Sequence, residues 1–370
     1  MQTSKAQGWS VNLCNINGIP IRVHASFLLL IAWVALEASE TGSGAISEVT
    51  FVLAIFGCVL LHELGHTLAA QFFGIKTSDI VLYPFGGIAT IESTPEPKPE
   101  FVIAIAGPLV NIMLAILLFT VTDFHFTPEQ LASEEGSPLS FTARLFFANL
   151  ILAIFNLLPA LPMDGGRILR ALLALMHVKN ATIIAARLSQ VLSLLLGAFA
   201  LYIGDTVLFV IAVFVFISAF QEHYRAKSLS IAKAYTVKDV MTEAKDLQLL
   251  GHGMTVTQAI EVASKTSQNF FPVLHGPEAI GVVNQNNLMV SAASADERYI
   301  SEVMDRNFPT TVPEEKLEDI VKRIHAGTRP PFVVNENDLF VGMILEELLI
   351  EFLFLSKAKD STKLSKEVPA

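Results

Sequence analysis

The chain has 370 residues, 52% of them hydrophobic and only 16% charged, with a mean hydropathy of +0.53. That composition excludes an ordinary soluble enzyme of this size and makes membrane insertion the first expectation. A formal net charge of −10 without clustered Lys and Arg argues against nucleic acid as a partner, and two cysteines, Cys14 and Cys58, do not make a disulfide framework.

The N-terminal segment up to residue 23 carries Lys5, Asn12, Asn15 and Arg22 and no long apolar stretch before a small-residue cleavage site, so no cleaved signal peptide is expected. A helix needs about 20 residues to cross about 30 Å of hydrocarbon. Apolar stretches of that order lie near 25–41, 49–73, 101–121, 143–161, 183–203 and 206–223, which predicts about six spans. The stretch 167–178, with Arg167, Arg170 and His177 among leucines and alanines, is too short and polar for a span and reads as a re-entrant or interfacial helix.

Inside the second span stands His62-Glu63-Leu64-Gly65-His66. Residues four apart share one helix face, so two imidazoles one turn apart can grip a single ion, and zinc suits them best. Glu63, beside the first imidazole, can take a proton from water and return it to a leaving amine. A chance H-E-x-x-H in a soluble helix is an even bet for metal. Two histidines and a glutamate in mid-span are each expensive, and that cost shifts the odds strongly toward function over a polar cluster that merely holds helices together.

Between the second and third spans, residues 78–93 place β-rich runs on either side of Phe85-Gly86-Gly87, the signature of a hairpin. An open sheet edge cannot face lipid, so this hairpin belongs in a protein-lined cavity or at the interface, where an ordinary turn and a substrate-binding role are equally good readings.

A catalytic zinc takes three protein ligands and keeps one position open. Asp164 is the best third candidate, in the run Phe155-Asn156-Leu157-Leu158-Pro159-Ala160-Leu161-Pro162-Met163-Asp164-Gly165-Gly166-Arg167. Its prolines interrupt the helix and its glycine pair permits a sharp turn, which would let a carboxylate at membrane depth point at the metal. An N-cap aspartate opening the next helix is the plainer alternative, and it does not exclude ligation.

Lys and Arg are absent from 42–48 and 204–205, whereas Lys76, Lys98, Arg167, Arg170, Lys179, Arg225 and Lys227 lie in segments on the opposite side. Both termini are therefore expected in the cytoplasm, with Arg144 a mild exception at an outer edge. Segment 122–142 is outer by the same count.

The C-terminal part repeats with a period of about 60 residues. Val237-Lys-Asp-Val-Met241 answers Ile300-Ser-Glu-Val-Met304, Phe271-Pro-Val-Leu274 answers Pro331-Phe-Val-Val334, and Ile280-Gly-Val-Val283 answers Val341-Gly-Met-Ile344. This pattern resembles a pair of CBS modules over 236–357, and the charged residues 358–370 read as a disordered tail.

Residues 10–225 resemble the site-2 protease family of intramembrane zinc metalloproteases. The resemblance rests on His62-Glu63-Leu64-Gly65-His66 and on Asn156-x-x-Pro159-x-x-x-x-Asp164-Gly165, with Gly18-Ile-Pro-Ile-Arg-Val-His24 and Gly107-Pro-Leu-Val-Asn111 as further family-like segments. It implies one Zn²⁺ held by His62, His66 and Asp164, Glu63 as the base that activates water, and Asn156 as a group that holds the substrate backbone or the tetrahedral oxyanion. A lone amide can equally satisfy a broken helix end, so the residue's own chemistry leaves Asn156 open.

The architecture expected is thus a polytopic α-helical membrane domain of about six spans with a β-hairpin insertion, residues 1–230, followed by a soluble α/β tandem CBS domain. Its partners would be the lipid bilayer and a membrane-protein substrate. The CBS resemblance implies a regulatory pair that binds an adenine nucleotide and forms a homodimer. Asn284-Gln285-Asn286 and Leu345-Glu346-Glu347 stand where Ser or Thr and Asp usually follow the second strand, which leaves a purely structural or dimerising role equally open. The rival reading is a CBS-regulated ion channel or transporter with His62, Glu63 and Asp164 along its pathway. Transport does not require H-E-x-x-H, whereas hydrolysis requires both ligands and a base.

Overall fold

The computed structural model describes residues 9–41, 44–84, 86–91, 95–121, 141–292 and 298–364. The chain divides into two compact units, Met1–His223 and Tyr224–Ala370.

The first unit opens with a hairpin that the sequence reading did not anticipate, β1 (Ser10–Ile16) and β2 (Ile19–His24). Asn17 and Gly18 both take positive φ, as a two-residue turn with right-handed strand twist demands. Helices α1 (Ala25–Thr41) and α2 (Ala45–Phe72) follow, then the expected hairpin, β3 (Thr77–Tyr83) with β4 (Gly86–Ile91). The two hairpins form one sheet of order β1-β2-β3-β4, in which β2 and β3 run parallel. Each of the buried residues Ile19, Ile21 and Val23 alternates with a half-buried neighbour, the period of a strand with one covered face.

Next come α3 (Pro97–Val121), α4 (Phe141–Leu157), α5 (Asp164–Leu175), α6 (Ala181–Ile203) and α7 (Thr206–Ala232). All six predicted apolar stretches are helical. Four of the helices, α2, α3, α6 and α7, are long and apolar enough to cross a bilayer, whereas α1 and α4 have 17 residues each. At 1.5 Å per residue those two reach about 26 Å. Helix α4 stops at Leu157 because Pro159 lacks an N–H and restricts the residue before it. Arg144, the exception to the charge pattern, donates to both carboxylate oxygens of Glu48 at 2.8 and 2.7 Å and stacks on Phe51, so its charge is neutralised where it stands. Most of segment 122–142 and the tip residue Phe85 lie outside the described residues.

The second unit contains the repeat. The first copy comprises β5 (Thr242–Glu243), β6 (Leu250–Gly251), α8 (Val256–Ala263), β7 (Phe270–His275), β8 (Glu278–Asn284) and α9 (Gln285–Ala292). The second comprises α10 (Ile300–Val303), β9 (Thr310–Thr311), α11 (Leu317–His325), β10 (Phe332–Glu336), β11 (Leu339–Ile344) and α12 (Glu346–Leu364). The sheets have order β6-β7-β8 and β5-β11-β10-β9, so a strand of the first copy completes the sheet of the second. Buried Phe271, Val273, Leu250 and Leu288 fill one copy, Phe332, Val334, Leu317 and Ile320 the other. Helix α12 corrects one expectation, since it carries regular structure through Leu364, into the charged segment read as a disordered tail. Leu349 and Leu353 anchor its start in the core, and an anchored helix gains one hydrogen bond for each further residue. Residues 365–370 lie outside the described residues.

Candidate metal centre

His62 and His66 share one face of α2, as their spacing requires, and Asp164 reaches them from the first turn of α5. The Nε2 atoms of the two histidines are 3.0 Å apart, and Asp164 Oδ2 is 3.2 Å from His62 Nε2 and 3.1 Å from His66 Nε2. Three ligands at zinc bond lengths of about 2.0–2.1 Å would stand roughly 3.3 Å apart on a tetrahedron. The donor set therefore fits a zinc ion in chemistry and in spacing. Side chains of all three residues are buried, and no other group of three or more His, Cys, Asp or Glu among the described residues converges in this way.

Glycines make room for this convergence. A Cβ on Gly107 of α3 would fall on His66 Nε2 and lie 2.7 Å from His62 Nε2. One on Gly65 would come within 2.8 Å of Val110 and 3.0 Å of the Ala106 carbonyl, so α2 and α3 touch backbone to backbone there. Gly165 and Gly166 play a different part from the sharp turn read in the sequence. Neither has positive φ; both lie in the first turn of α5, where a Cβ would strike the backbone of Leu157, Leu158, Ala160 or Leu161. The pair lets α5 pack on the loop before it, and Asp164 is set at the mouth of that packing. Its residue is not the cap, which is Met163, but the first helical position, where an acidic group is favoured by the helix dipole. The second Asp164 oxygen, Oδ1, lies 3.6 Å from Arg167 Nη1.

Glu63 is half-buried, and its side chain lies against β4: a Cβ on Gly87 would come within 2.6 Å of Glu63 Cγ. Strand β3 has a neighbour on each side, which leaves β4 as the edge of the sheet beside Glu63. Asn156 is half-buried near the end of α4 and makes no side-chain hydrogen bond among the described residues, so it stands outside the hydrogen-bonded cluster. His24 bonds Ser26 Oγ at 2.7 Å and packs on Tyr83.

Sequence reasoning missed the groups that hold the imidazoles. His66 Nδ1 bonds the Ile103 carbonyl at 2.7 Å, and His62 Nδ1 bonds Asn111 Oδ1 at 2.5 Å. Asn111 in turn bonds Asn149 at 2.9 Å, and both amides are fully buried. The available signal was an asparagine in the middle of each of two apolar spans, Asn111 and Asn149, each needing a partner there.

The model of peptidase family M50 matches residues 50–140 and 127–202, and that of the CBS domain matches 300–354. The zinc metalloprotease MJ0392 of Methanocaldococcus jannaschii is 31% identical over 357 residues, covering 96% of this chain and 99% of that protein. Stage IV sporulation protein FB of Bacillus subtilis is 32% identical over 178 residues, 46% of this chain and 58% of the relative. Among solved structures, the site-2 protease from Methanocaldococcus jannaschii is 35% identical, with a TM-score of 0.43 over 58% of this chain and 95% of that one.

Proposed function

This chain belongs to peptidase family M50, the site-2 protease zinc metalloproteases, here joined to CBS domains, and from that membership we propose that it cuts a membrane-spanning segment of another membrane protein. The observation that carries the proposal is the meeting of His62, His66 and Asp164 donor atoms, all buried, with both histidines on α2, a helix long and apolar enough to span a bilayer. These three residues would hold the ion. Zinc, when bound, polarises a carbonyl and makes water acidic.

The chain's own groups do the rest. Glu63 accepts a proton from the attacking water and delivers it to the amide nitrogen as the C–N bond breaks, so one water is consumed for each peptide bond. Gly87 keeps the space beside that carboxylate free of a side chain. A substrate helix has its carbonyls bonded within itself and must unwind first. The unwound strand would then add to the free edge of β4, by main-chain hydrogen bonds. Asn156, its amide uncommitted among the described residues, would bind the substrate backbone or the oxyanion.

The CBS pair would modulate this activity from the cytoplasmic side and pair two chains into a homodimer. The residues that depart from the usual nucleotide pattern take part in contacts within the chain. Asn284 Oδ1 accepts from the Asn286 N–H at 2.8 Å, closing its own helix start, and Glu347 accepts from Asn269 Nδ2 at 2.9 Å.

The test is cleavage of a single-span substrate by the full-length protein in liposomes, before and after removal of zinc by a chelator. Cleavage should stop on chelation and return with one added equivalent of zinc. Cleavage indifferent to zinc would refute the proposal.

A further inference from the structure

The two imidazoles are oriented by different means. His66 Nδ1 faces the Ile103 carbonyl, which can only accept, so this nitrogen carries the proton and Nε2 presents its lone pair to the metal position. His62 Nδ1 faces an amide, Asn111, and an amide offers either an acceptor oxygen or a donor NH₂ according to which way it is turned. With the NH₂ inward, His62 would be driven to the tautomer protonated at Nε2, which cannot bind a metal through that atom. Something must hold Asn111 in the right sense.

Asn149 of α4 does so, one residue further out. Its amide sits against the Leu145 carbonyl at 2.9 Å and Cys58 Sγ at 3.3 Å. The carbonyl only accepts, so Asn149 Nδ2 must point there, and its two hydrogens serve Leu145 and Cys58. Asn149 Oδ1 is then turned toward Asn111 and accepts from Asn111 Nδ2 at 2.9 Å. That donation in turn leaves Asn111 Oδ1 facing His62 Nδ1, which must donate. The polarity of every bond in the chain from Leu145 to His62 follows from one main-chain carbonyl. Both amides are fully buried, so water cannot supply the missing partners if a link is cut.

We propose that Asn149, which touches neither the metal position nor a metal ligand, is a positioning residue of the metal site: through Asn111 it sets the tautomer of His62. This inference rests on the zinc reading of that site. Side chains behind a metal-binding histidine are worth about 10- to 100-fold in metal affinity, and the same order is expected one link further out because the link is a two-way amide switch.

The experiment is a double-mutant cycle in the full-length protein, purified in detergent, with zinc affinity read by competition with a chromophoric chelator. Asn149→Leu, or Asn149→Ala if the leucine disturbs packing, should weaken zinc by about 10- to 100-fold. Asn111→Asp replaces the amide by a carboxylate that only accepts and so has no wrong orientation. In the Asn111→Asp background the Asn149 substitution should therefore change zinc affinity by less than about 3-fold, the coupling such a cycle isolates. Wild-type affinity in Asn149→Leu overturns the proposal. An equal loss in both backgrounds also overturns it, because it would mark Asn149 as a helix-packing residue only. A wild type that binds no zinc would instead bring down the metal reading itself, together with this one.

Discussion

His62 and His66 could be paired from the sequence because a four-residue spacing on a helix is a local fact, needing no knowledge of the fold. Asp164 could be nominated but not seated, since it meets His66 across 98 residues and only the packing of α5 decides where its carboxylate points. Asn111, Asn149 and the Ile103 carbonyl were out of reach for the same reason: each acts across a helix interface that one chain read in order does not show. Gly107 belongs with them, and it yields a sharp prediction. Gly107→Ala adds one methyl where both Nε2 atoms need space, so zinc affinity should fall by at least about 10-fold while the protein still inserts, as metal analysis of the purified variant would show. Full zinc occupancy with wild-type affinity would mean that the imidazoles have more freedom than the packing of α2 on α3 allows.

Among the elements, the apolar helices and the 78–93 hairpin were legible because hydrophobic runs and a Gly-Gly turn leave strong local marks. The N-terminal hairpin is marked in the sequence only by its Asn17-Gly18 turn, because its two short strands carry no apolar run comparable to those of the helices. That hairpin matters for function. With β2 paired to β3, the sheet keeps two edges, β1 and β4, and it is β4, through Gly87, that lies against Glu63. Proline at those β4 positions whose N–H points away from β3 removes an outward donor and leaves the internal pairing intact. Such variants should keep their zinc and lose substrate affinity, seen as a raised KM for a membrane-spanning substrate. An unchanged KM across all such positions would exclude strand addition at β4.

For the whole molecule, the composition shift and the internal repeat are the marks of two parts that a sequence carries, and the compact units of the structure are Met1–His223 and Tyr224–Ala370. The exchange of β5 into the second copy's sheet was hidden, because a two-residue strand carries no periodicity. All proposed ligands and the base precede residue 165, so truncation after Ser230 should leave a membrane unit that binds zinc and cleaves some substrate, with altered rate or selectivity. Loss of all hydrolysis in a truncated chain shown to be folded and zinc-loaded would mean that the second unit helps to build the active site. The central claim, that this is a zinc protease with Glu63 as its proton carrier, is tested most directly by measuring zinc content and turnover together in Glu63→Gln. Glutamine keeps size and polarity but cannot take a proton, so the account predicts one zinc per chain and cleavage slower by about 100-fold or more, equivalent to about 2.7 kcal/mol in the barrier. Wild-type turnover in a fully zinc-loaded Glu63→Gln protein would contradict it.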